Sequence, residues 1–108
     1  MKLEVINDDD LKMLNDQCGA EFVHKEQKLP LNYKDSEFVG QKCASFDGDA
    51  DRLIYYYVDA ETKKLNIIDG DKQFAFIVMY VKDLIDKLGI SDKLSLVLVQ
   101  TAYCNSRV

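Results

Sequence analysis

The chain has 108 residues, of which 47% are hydrophobic and 31% are charged, and its formal net charge is −5. This length and composition predict one ordinary globular domain and exclude a disordered tail. Because the net charge is negative and the basic residues are scattered among the acids, we expect no nucleic-acid partner and no membrane partner. The N-terminus lacks the apolar core of a signal peptide, and no apolar run approaches the ~20 residues of a membrane span, so we expect a cytoplasmic protein.

The first third of the chain predicts two strands, a helix and a long loop. Residues 3–7 alternate in part and favour a strand, and residues 8–18 begin with acids and carry apolar residues at helical spacing. Gly19 stands where a glycine often ends a helix, and residues 20–23 favour a second strand. Residues 25–41 are polar, contain the only proline and show no sustained period, so we expect a loop there.

The middle of the chain predicts three strands around two turns. Cys43–Phe46 is a short apolar run that stops at Asp47, and Leu53–Val58 is rich in aromatic and β-branched residues. An acidic loop therefore lies between two strands. A polar turn then leads to Leu65–Ile68, which we expect to pair with Leu53–Val58 as a β-hairpin.

The last third predicts a long helix and a final strand. Gly89 is placed to stop the helix, Asp69 and Asp71 to cap its start rather than to form a second metal site, and residues 95–99 resemble a buried strand. Together the elements predict an α/β fold with a small mixed sheet flanked by two helices. The apolar residues at helical spacing are Phe74, Ile77, Val78, Val81, Leu84, Ile85 and Leu88.

The cysteines and the histidine give no sign of a second site. Cys18, Cys43 and Cys104 are odd in number and lie far apart, which fits neither a zinc pair nor a disulfide framework. We expect reduced, mostly buried thiols. His24 has no cysteine or histidine at ligand spacing, so we expect it at the surface.

The loop between the two strands carries the candidate chemistry. Asp47, Asp49 and Asp51 stand at alternate positions, and on a curled loop their carboxylates converge and repel one another. A hard divalent cation relieves this repulsion, and all-oxygen ligation suits Mg²⁺ or Ca²⁺. The small residues between the acids let the backbone wrap around an ion. Arg52 follows the trio directly, and a guanidinium beside a bound metal is suited to gripping a phosphate.

The sequence of this loop suggests three other interpretations. A solvated acidic turn fits aspartate and glycine, but it explains neither the abrupt end of the strand nor the adjoining arginine. An EF-hand calcium loop is excluded, because its sixth position would be Arg52 and its twelfth would be Val58. A phosphatase of the haloacid dehalogenase type stays open, although we expect a strand, not a helix, after the loop.

The loop and its neighbours resemble a known family. Phe46-Asp47-Gly48-Asp49-Ala50-Asp51-Arg52 is similar to the metal-binding loop of the α-D-phosphohexomutases. Five further stretches are similar to the eukaryotic phosphoacetylglucosamine mutase branch of that family, and the resemblance covers nearly the whole chain. These stretches are residues 18–23, 27–30, 55–57, 69–72 and 99–103.

The resemblance implies an enzyme of four domains that interconverts N-acetylglucosamine 6-phosphate and 1-phosphate on the route to UDP-N-acetylglucosamine. It implies that Mg²⁺ is held by Asp47, Asp49 and Asp51 together with a phosphoserine of the first domain, and that Arg52 contacts phosphate. Because the phosphoserine loop is not in this sequence, the resemblance implies no catalytic residue here, and we expect the chain alone to be inactive. A phosphosugar substrate and the missing domains are then its expected partners.

The resemblance also implies domain bounds. Residues 1–98 correspond to the metal-binding second domain, incomplete at its N-terminus, and residues 99–108 to the truncated start of the next domain. We therefore expect a truncated gene product or an excised fragment. The alternative hypothesis is a non-catalytic, Mg²⁺-dependent interaction module derived from the same domain.

Overall fold

The structure is a computed structural model, and it describes residues 3–8 and 14–100. It divides after Asp69 into two compact units. The first unit contains two helices and the sheet, and the second contains one long helix, so the predicted α/β class is confirmed. In chain order the elements are α1 (Gly19–Glu26), α2 (Asp35–Phe38), β1 (Cys43–Phe46), β2 (Leu53–Val58), β3 (Leu65–Ile68) and α3 (Gly70–Leu88).

The sheet has three strands in the order β1-β2-β3, and both pairs are antiparallel. Phe46 pairs with Leu53 across the acidic loop, and Val58 pairs with Leu65 across the following turn. The predicted strands and hairpin are therefore confirmed. The expected mixed arrangement is not found among these three strands, because each connection is a short loop that reverses the chain, whereas parallel strands need a long crossover.

The core of the first unit lies between one face of β2 and helix α1. Along β2 burial alternates, so that Tyr56 faces the core while Tyr55 and Tyr57 are exposed on the other face. Val23 of α1 is fully buried against this face. The buried cluster consists of Ala20, Val23, Ile54 and Tyr56. It anchors α1 beside the start of β2, which is where the acidic loop ends.

The prediction of a strand over residues 20–23 is wrong, because these residues belong to α1. Ala20 and Val23 lie three residues apart, so a helix places both on the face that meets the sheet. Gly19 was expected to end a preceding helix but is the first residue of α1. Its φ of +88° is a conformation that glycine adopts at little cost.

The segments before and after α1 also differ from the prediction. Residues 3–8 form no strand, and the Asn7 side chain instead donates to the carbonyl of Leu31 at 2.7 Å. The predicted helix over residues 8–18 falls partly outside the described residues, and its described end, residues 14–18, forms turns. The predicted loop over residues 25–41 contains the end of α1 and the short helix α2.

The second unit confirms the long helix and corrects the final strand. α3 ends at Leu88, directly before Gly89, and Asp71 lies in its first turn. Residues 95–99 form no strand. An apolar, β-branched composition favours a strand only where a neighbouring strand supplies ladder hydrogen bonds. Within the described residues, no helix has the length and apolar character needed to cross a bilayer.

The described thiols and the histidine are placed largely as expected. Cys18 is buried, Cys43 is partly buried and carries a free thiol, and Cys104 lies outside the described residues. Burial raises the pKa of the Cys43 thiol. His24 is exposed in the last turn of α1.

Candidate metal centre

The acidic loop closes the β1–β2 hairpin. The backbone N–H of Asp47 donates to the carbonyl of Arg52 at 3.4 Å, and the N–H of Ala50 donates to the carbonyl of Asp47 at 3.0 Å. Ala50 has a φ of +58°, in the left-handed region. These contacts curl the loop back on itself between the two strand ends. No helix follows the loop, because β2 begins at Leu53, as the sequence predicted.

The curled loop brings the three predicted carboxylates together. Asp47, Asp49 and Asp51 each offer a carboxylate oxygen, and these oxygens lie within 4.8 Å of one another. Asp47 is buried, with 6% of its surface exposed, whereas Asp49 and Asp51 are exposed. Among residues 3–8 and 14–100, this is the one cluster of three or more acidic, cysteine or histidine side chains close enough to share an ion.

The crowding of the carboxylates perturbs their ionisation. A hydrogen bond with Asp47 raises the pKa of Asp51, and repulsion from Asp47 and Asp49 adds to the effect. Burial acts to raise the pKa of Asp47, but the hydrogen bonds from the Arg52 backbone and side chain outweigh it and hold that pKa below its usual range. The three carboxylates are therefore stabilised when they share either a proton or a cation.

Arg52 holds Asp47 in place through two hydrogen bonds. Its backbone N–H donates to Oδ1 of Asp47 at 3.0 Å, and its Nε donates to Oδ2 at 2.5 Å. Its Nη2 donates to Oε2 of Glu21 on α1 at 3.1 Å. The contacts with Asp47 and Glu21 raise the pKa of the guanidinium. Arg52 thus lies beside the carboxylates as predicted, but two of its side-chain nitrogens, Nε and Nη2, already donate hydrogen bonds within the protein.

Two residues outside the loop complete the site, and both were missed in the sequence. Asn15 accepts a hydrogen bond from the backbone N–H of Gly48 through Oδ1 at 2.9 Å. Glu21 accepts from Arg52. Both contacts join residues more than 30 positions apart, and no local pattern signals such a pair.

The donor set fits a hard divalent cation. All three side chains offer carboxylate oxygens, which are the ligands that Mg²⁺ prefers, and three protein ligands leave positions for water or phosphate oxygen. Each oxygen of Asp47 accepts one hydrogen bond from Arg52, and a carboxylate oxygen has a further lone pair available for a metal. The residues present are therefore compatible with Mg²⁺ on Asp47, Asp49 and Asp51.

Comparison with known proteins identifies the family. Residues 1–54 match the family described as "Phosphoacetylglucosamine mutase AMG1, domain II". The chain belongs to the phosphoacetylglucosamine mutase family. The resemblance seen in the acidic loop and its neighbours is thereby confirmed, and the family belongs to a class of isomerases.

Curated members of the phosphoacetylglucosamine mutase family match nearly the whole chain. The Mus musculus phosphoacetylglucosamine mutase is 44% identical over 101 residues, which cover 94% of this chain and 18% of the relative. The Saccharomyces cerevisiae phosphoacetylglucosamine mutase is 40% identical over 106 residues, which cover 96% of this chain and 19% of the relative. The chain therefore spans about a fifth of the length of the curated relatives it matches.

Solved structures of the phosphoacetylglucosamine mutase family share the fold. The Aspergillus fumigatus N-acetylphosphoglucosamine mutase in complex with GlcNAc-6P and magnesium matches with a TM-score of 0.82 and 38% identity, over 94% of this chain and 20% of that chain. An apo-form N-acetylglucosamine-phosphate mutase of the α-D-phosphohexomutase superfamily matches with a TM-score of 0.70 and 41% identity, over 83% of this chain and 19% of that chain.

Proposed function

We propose that this chain provides the divalent-cation site of a phosphoacetylglucosamine mutase, with Mg²⁺ bound by Asp47, Asp49 and Asp51. The observation that carries the proposal is the convergence of these three carboxylate groups within 4.8 Å in a chain of this family. The magnesium in the related Aspergillus fumigatus complex supports the choice of metal. The proposed reaction interconverts N-acetylglucosamine 6-phosphate and 1-phosphate, on the route to UDP-N-acetylglucosamine.

The residues of the loop have different roles in this proposal. Asp47 is the buried, fixed carboxylate, because both of its oxygens accept hydrogen bonds from Arg52. Asp49 and Asp51 are exposed and can reach an ion that arrives from solvent. The Nη1 group of Arg52 lies outside the contacts with Asp47 and Glu21, so we propose it as the phosphate contact. Bound Mg²⁺ would supply neutralisation of the negative charge on the transferring phosphoryl group.

The proposal assigns no catalytic nucleophile to this chain. The phosphoserine that the family resemblance implies would come from a first domain, so the chain by itself should bind metal without turning over substrate. Residues 1–98 would form the metal-binding domain, and residues 99–108 would begin the next one. The phosphosugar and the other domains of the enzyme are then the proposed partners, and the cytoplasm is the proposed compartment.

Complementation tests this function. The chain would be mixed with a separately produced remainder of a phosphoacetylglucosamine mutase that carries the phosphoserine, and conversion of N-acetylglucosamine 6-phosphate would be followed by ³¹P NMR with Mg²⁺ present. We expect turnover with the wild-type chain and none with Asp49→Ala. Asp92→Ala is the matched control, because Asp92 is an exposed aspartate in the turn after α3.

Either outcome separates the two candidate functions. Turnover that requires both Mg²⁺ and Asp49 supports the mutase. Stable, Mg²⁺-dependent association with the remainder but no turnover would overturn the catalytic proposal and favour the non-catalytic interaction module.

A further inference from the structure

The guanidinium of Arg52 lies close to three carboxylates, those of Glu21, Asp47 and Asp51. Its Nε is 2.5 Å from Oδ2 of Asp47 and 3.6 Å from Oδ1 of Asp51, while its Nη2 is 3.1 Å from Oε2 of Glu21. The first and third distances are hydrogen bonds, and the second is too long for one. Two of the carboxylates belong to the candidate metal centre, and Glu21 belongs to α1.

Glu21 is the one of these three acids that a cation does not need. A guanidinium pairs most strongly with carboxylates through two parallel hydrogen bonds. Without Glu21, Nη2 loses its acceptor, and Asp51 lies close enough to the guanidinium to replace it, since its Oδ1 is already 3.6 Å from Nε. Such pairing would occupy the oxygens that the ion must reach and would place positive charge among them. The contact with α1 therefore keeps the guanidinium beyond hydrogen-bonding distance of Asp51.

The position of Glu21 is itself well fixed. It lies in the first turn of α1, between Ala20 and Val23, which are buried in the core at 2% and 0% exposure. Lys25, one helical turn along, also pairs with Glu21, but both side chains lie at the surface, where such a pair contributes little to fixing a position. The helix is anchored to β2 through the same cluster. Glu21 thus links a helix that is packed against the sheet to the acidic loop through Arg52.

We infer that Glu21 is a positioning residue for the candidate metal centre: it holds the Arg52 guanidinium against Asp47 and off Asp51, which leaves Asp51 available to the cation. This inference rests on the proposed function, because it assigns Glu21 a role in the same site. It extends the site from the loop to α1.

The first test measures the guanidinium directly, without metal. In ¹⁵N-labelled protein the Arg52 Nε–H signal reports its hydrogen bond and its exchange with water. We expect Glu21→Ala to shift this signal and change its exchange rate, Glu21→Gln to retain most of the wild-type behaviour because its amide oxygen still accepts from Nη2, and Lys25→Ala to leave it unchanged. An Arg52 signal that is the same in Glu21→Ala and wild type would overturn the inference.

The second test measures Mg²⁺ affinity by titration calorimetry. We expect Glu21→Ala to weaken binding about tenfold, as is typical when a residue that orients a metal ligand is removed. Glu21→Gln should recover most of the affinity, and Lys25→Ala should match wild type. In an Arg52→Ala background, Glu21→Ala should have no further effect, because Glu21 acts through Arg52. An equal loss in both backgrounds would contradict positioning.

The two tests separate this inference from the function on which it rests. If the folded wild type does not bind Mg²⁺, the proposed function fails, and the Arg52 signal still decides whether Glu21 fixes the guanidinium. If the wild type binds Mg²⁺ and all Glu21 variants bind it equally, the function stands and the positioning role is wrong.

Discussion

The side chain of Asn15 packs against the backbone of Gly48, although 33 residues separate them in the chain. The Asn15 Oδ1 accepts a hydrogen bond from the Gly48 N–H at 2.9 Å, and a Cβ at position 48 would lie only 2.6 Å from the Asn15 Nδ2. The same side chain lies 2.9 Å from where a Cβ of Gly19 would stand. One amide thus fixes the acidic loop against the start of α1.

Gly48→Ala should disturb the loop by displacing this amide. The new methyl group forces the Asn15 side chain to rotate, and the hydrogen bond to the backbone of residue 48 is lost. We expect a loss of about 1 kcal/mol in the free energy of unfolding, measured by urea denaturation. In an Asn15→Ala background the same substitution should cost almost nothing. An equal loss of unfolding free energy in the two backgrounds would contradict this contact between Asn15 and residue 48.

Tyr33 and Tyr56 should respond in opposite ways to replacement by phenylalanine. The Tyr33 hydroxyl is buried and has no hydrogen-bond partner among the described residues, whereas the Tyr56 hydroxyl lies 3.2 Å from the Ser45 Oγ. Tyr33→Phe should keep or raise stability, because it removes an unsatisfied polar group, and Tyr56→Phe should lower it by about 1 kcal/mol. Thermal unfolding measures both. A clear loss for Tyr33→Phe would show that its hydroxyl has a partner.

Tyr33 should also make the fold sensitive to alkaline pH. Burial raises the pKa of Tyr33 from its ordinary value of 10.0 to about 12, and repulsion from Cys43 and Asp35 adds to the effect. Because the unfolded chain ionises this hydroxyl more readily than the folded one, the effect is absent below pH 10 and the folded state loses stability as the pH rises toward 12. We expect wild type to lose stability relative to Tyr33→Phe across this interval. Parallel stability curves for the two proteins would contradict the raised pKa.

Asp59 should stabilise the turn between β2 and β3 as an acceptor. Its Oδ1 accepts hydrogen bonds from the backbone N–H and the hydroxyl of Thr62, at 2.6 and 2.9 Å, and from the N–H of Glu61 at 3.0 Å. Asp59→Ala removes the acceptor and should lower the melting temperature, whereas Asp59→Asn keeps an oxygen there and should cost less. An equal loss in both variants would favour the charge over the acceptor.

The same contacts at Asp59 predict that the stability of the fold depends on pH in the acid range. The backbone N–H and the hydroxyl of Thr62 lower the pKa of Asp59 from its ordinary value of 3.8. Its contribution is therefore present above pH 3.8 and is lost as the pH falls through the lowered pKa. Asp59→Asn should not show this component, and melting curves recorded in acid for the two proteins will reveal it.

The sequence predicts those parts of the fold that local pattern controls. β2 is rich in aromatic and β-branched residues, α3 carries a long apolar stripe ended by Gly89, and the acidic loop is bounded by strands on both sides. The convergence of Asp47, Asp49 and Asp51 follows from their alternate spacing on a curled loop. Each of these features depends on residues that are close in the chain.

The failed predictions involve short segments and distant pairs. A four-residue segment such as residues 20–23, in which three residues are apolar, fits a strand and a helix equally, and the packing of Val23 against the sheet decides for the helix. Residues 95–99 have a strand composition but form no strand. The contacts of Asn15 and Glu21 with the loop depend on tertiary structure alone, so no local spacing could have revealed them.

Calorimetric titration of Mg²⁺ into the wild-type chain and into Asp49→Ala tests the central claim most directly. Asp49 is exposed and lies outside the hydrogen bonds between Asp47 and Arg52, so its removal should leave the fold intact, and an NMR spectrum of each protein checks this. We expect weak binding by the wild type, with a constant of about 1 mM, and none by the variant. A folded wild type that binds no Mg²⁺, or a variant that binds it equally well, would contradict a metal centre in this loop.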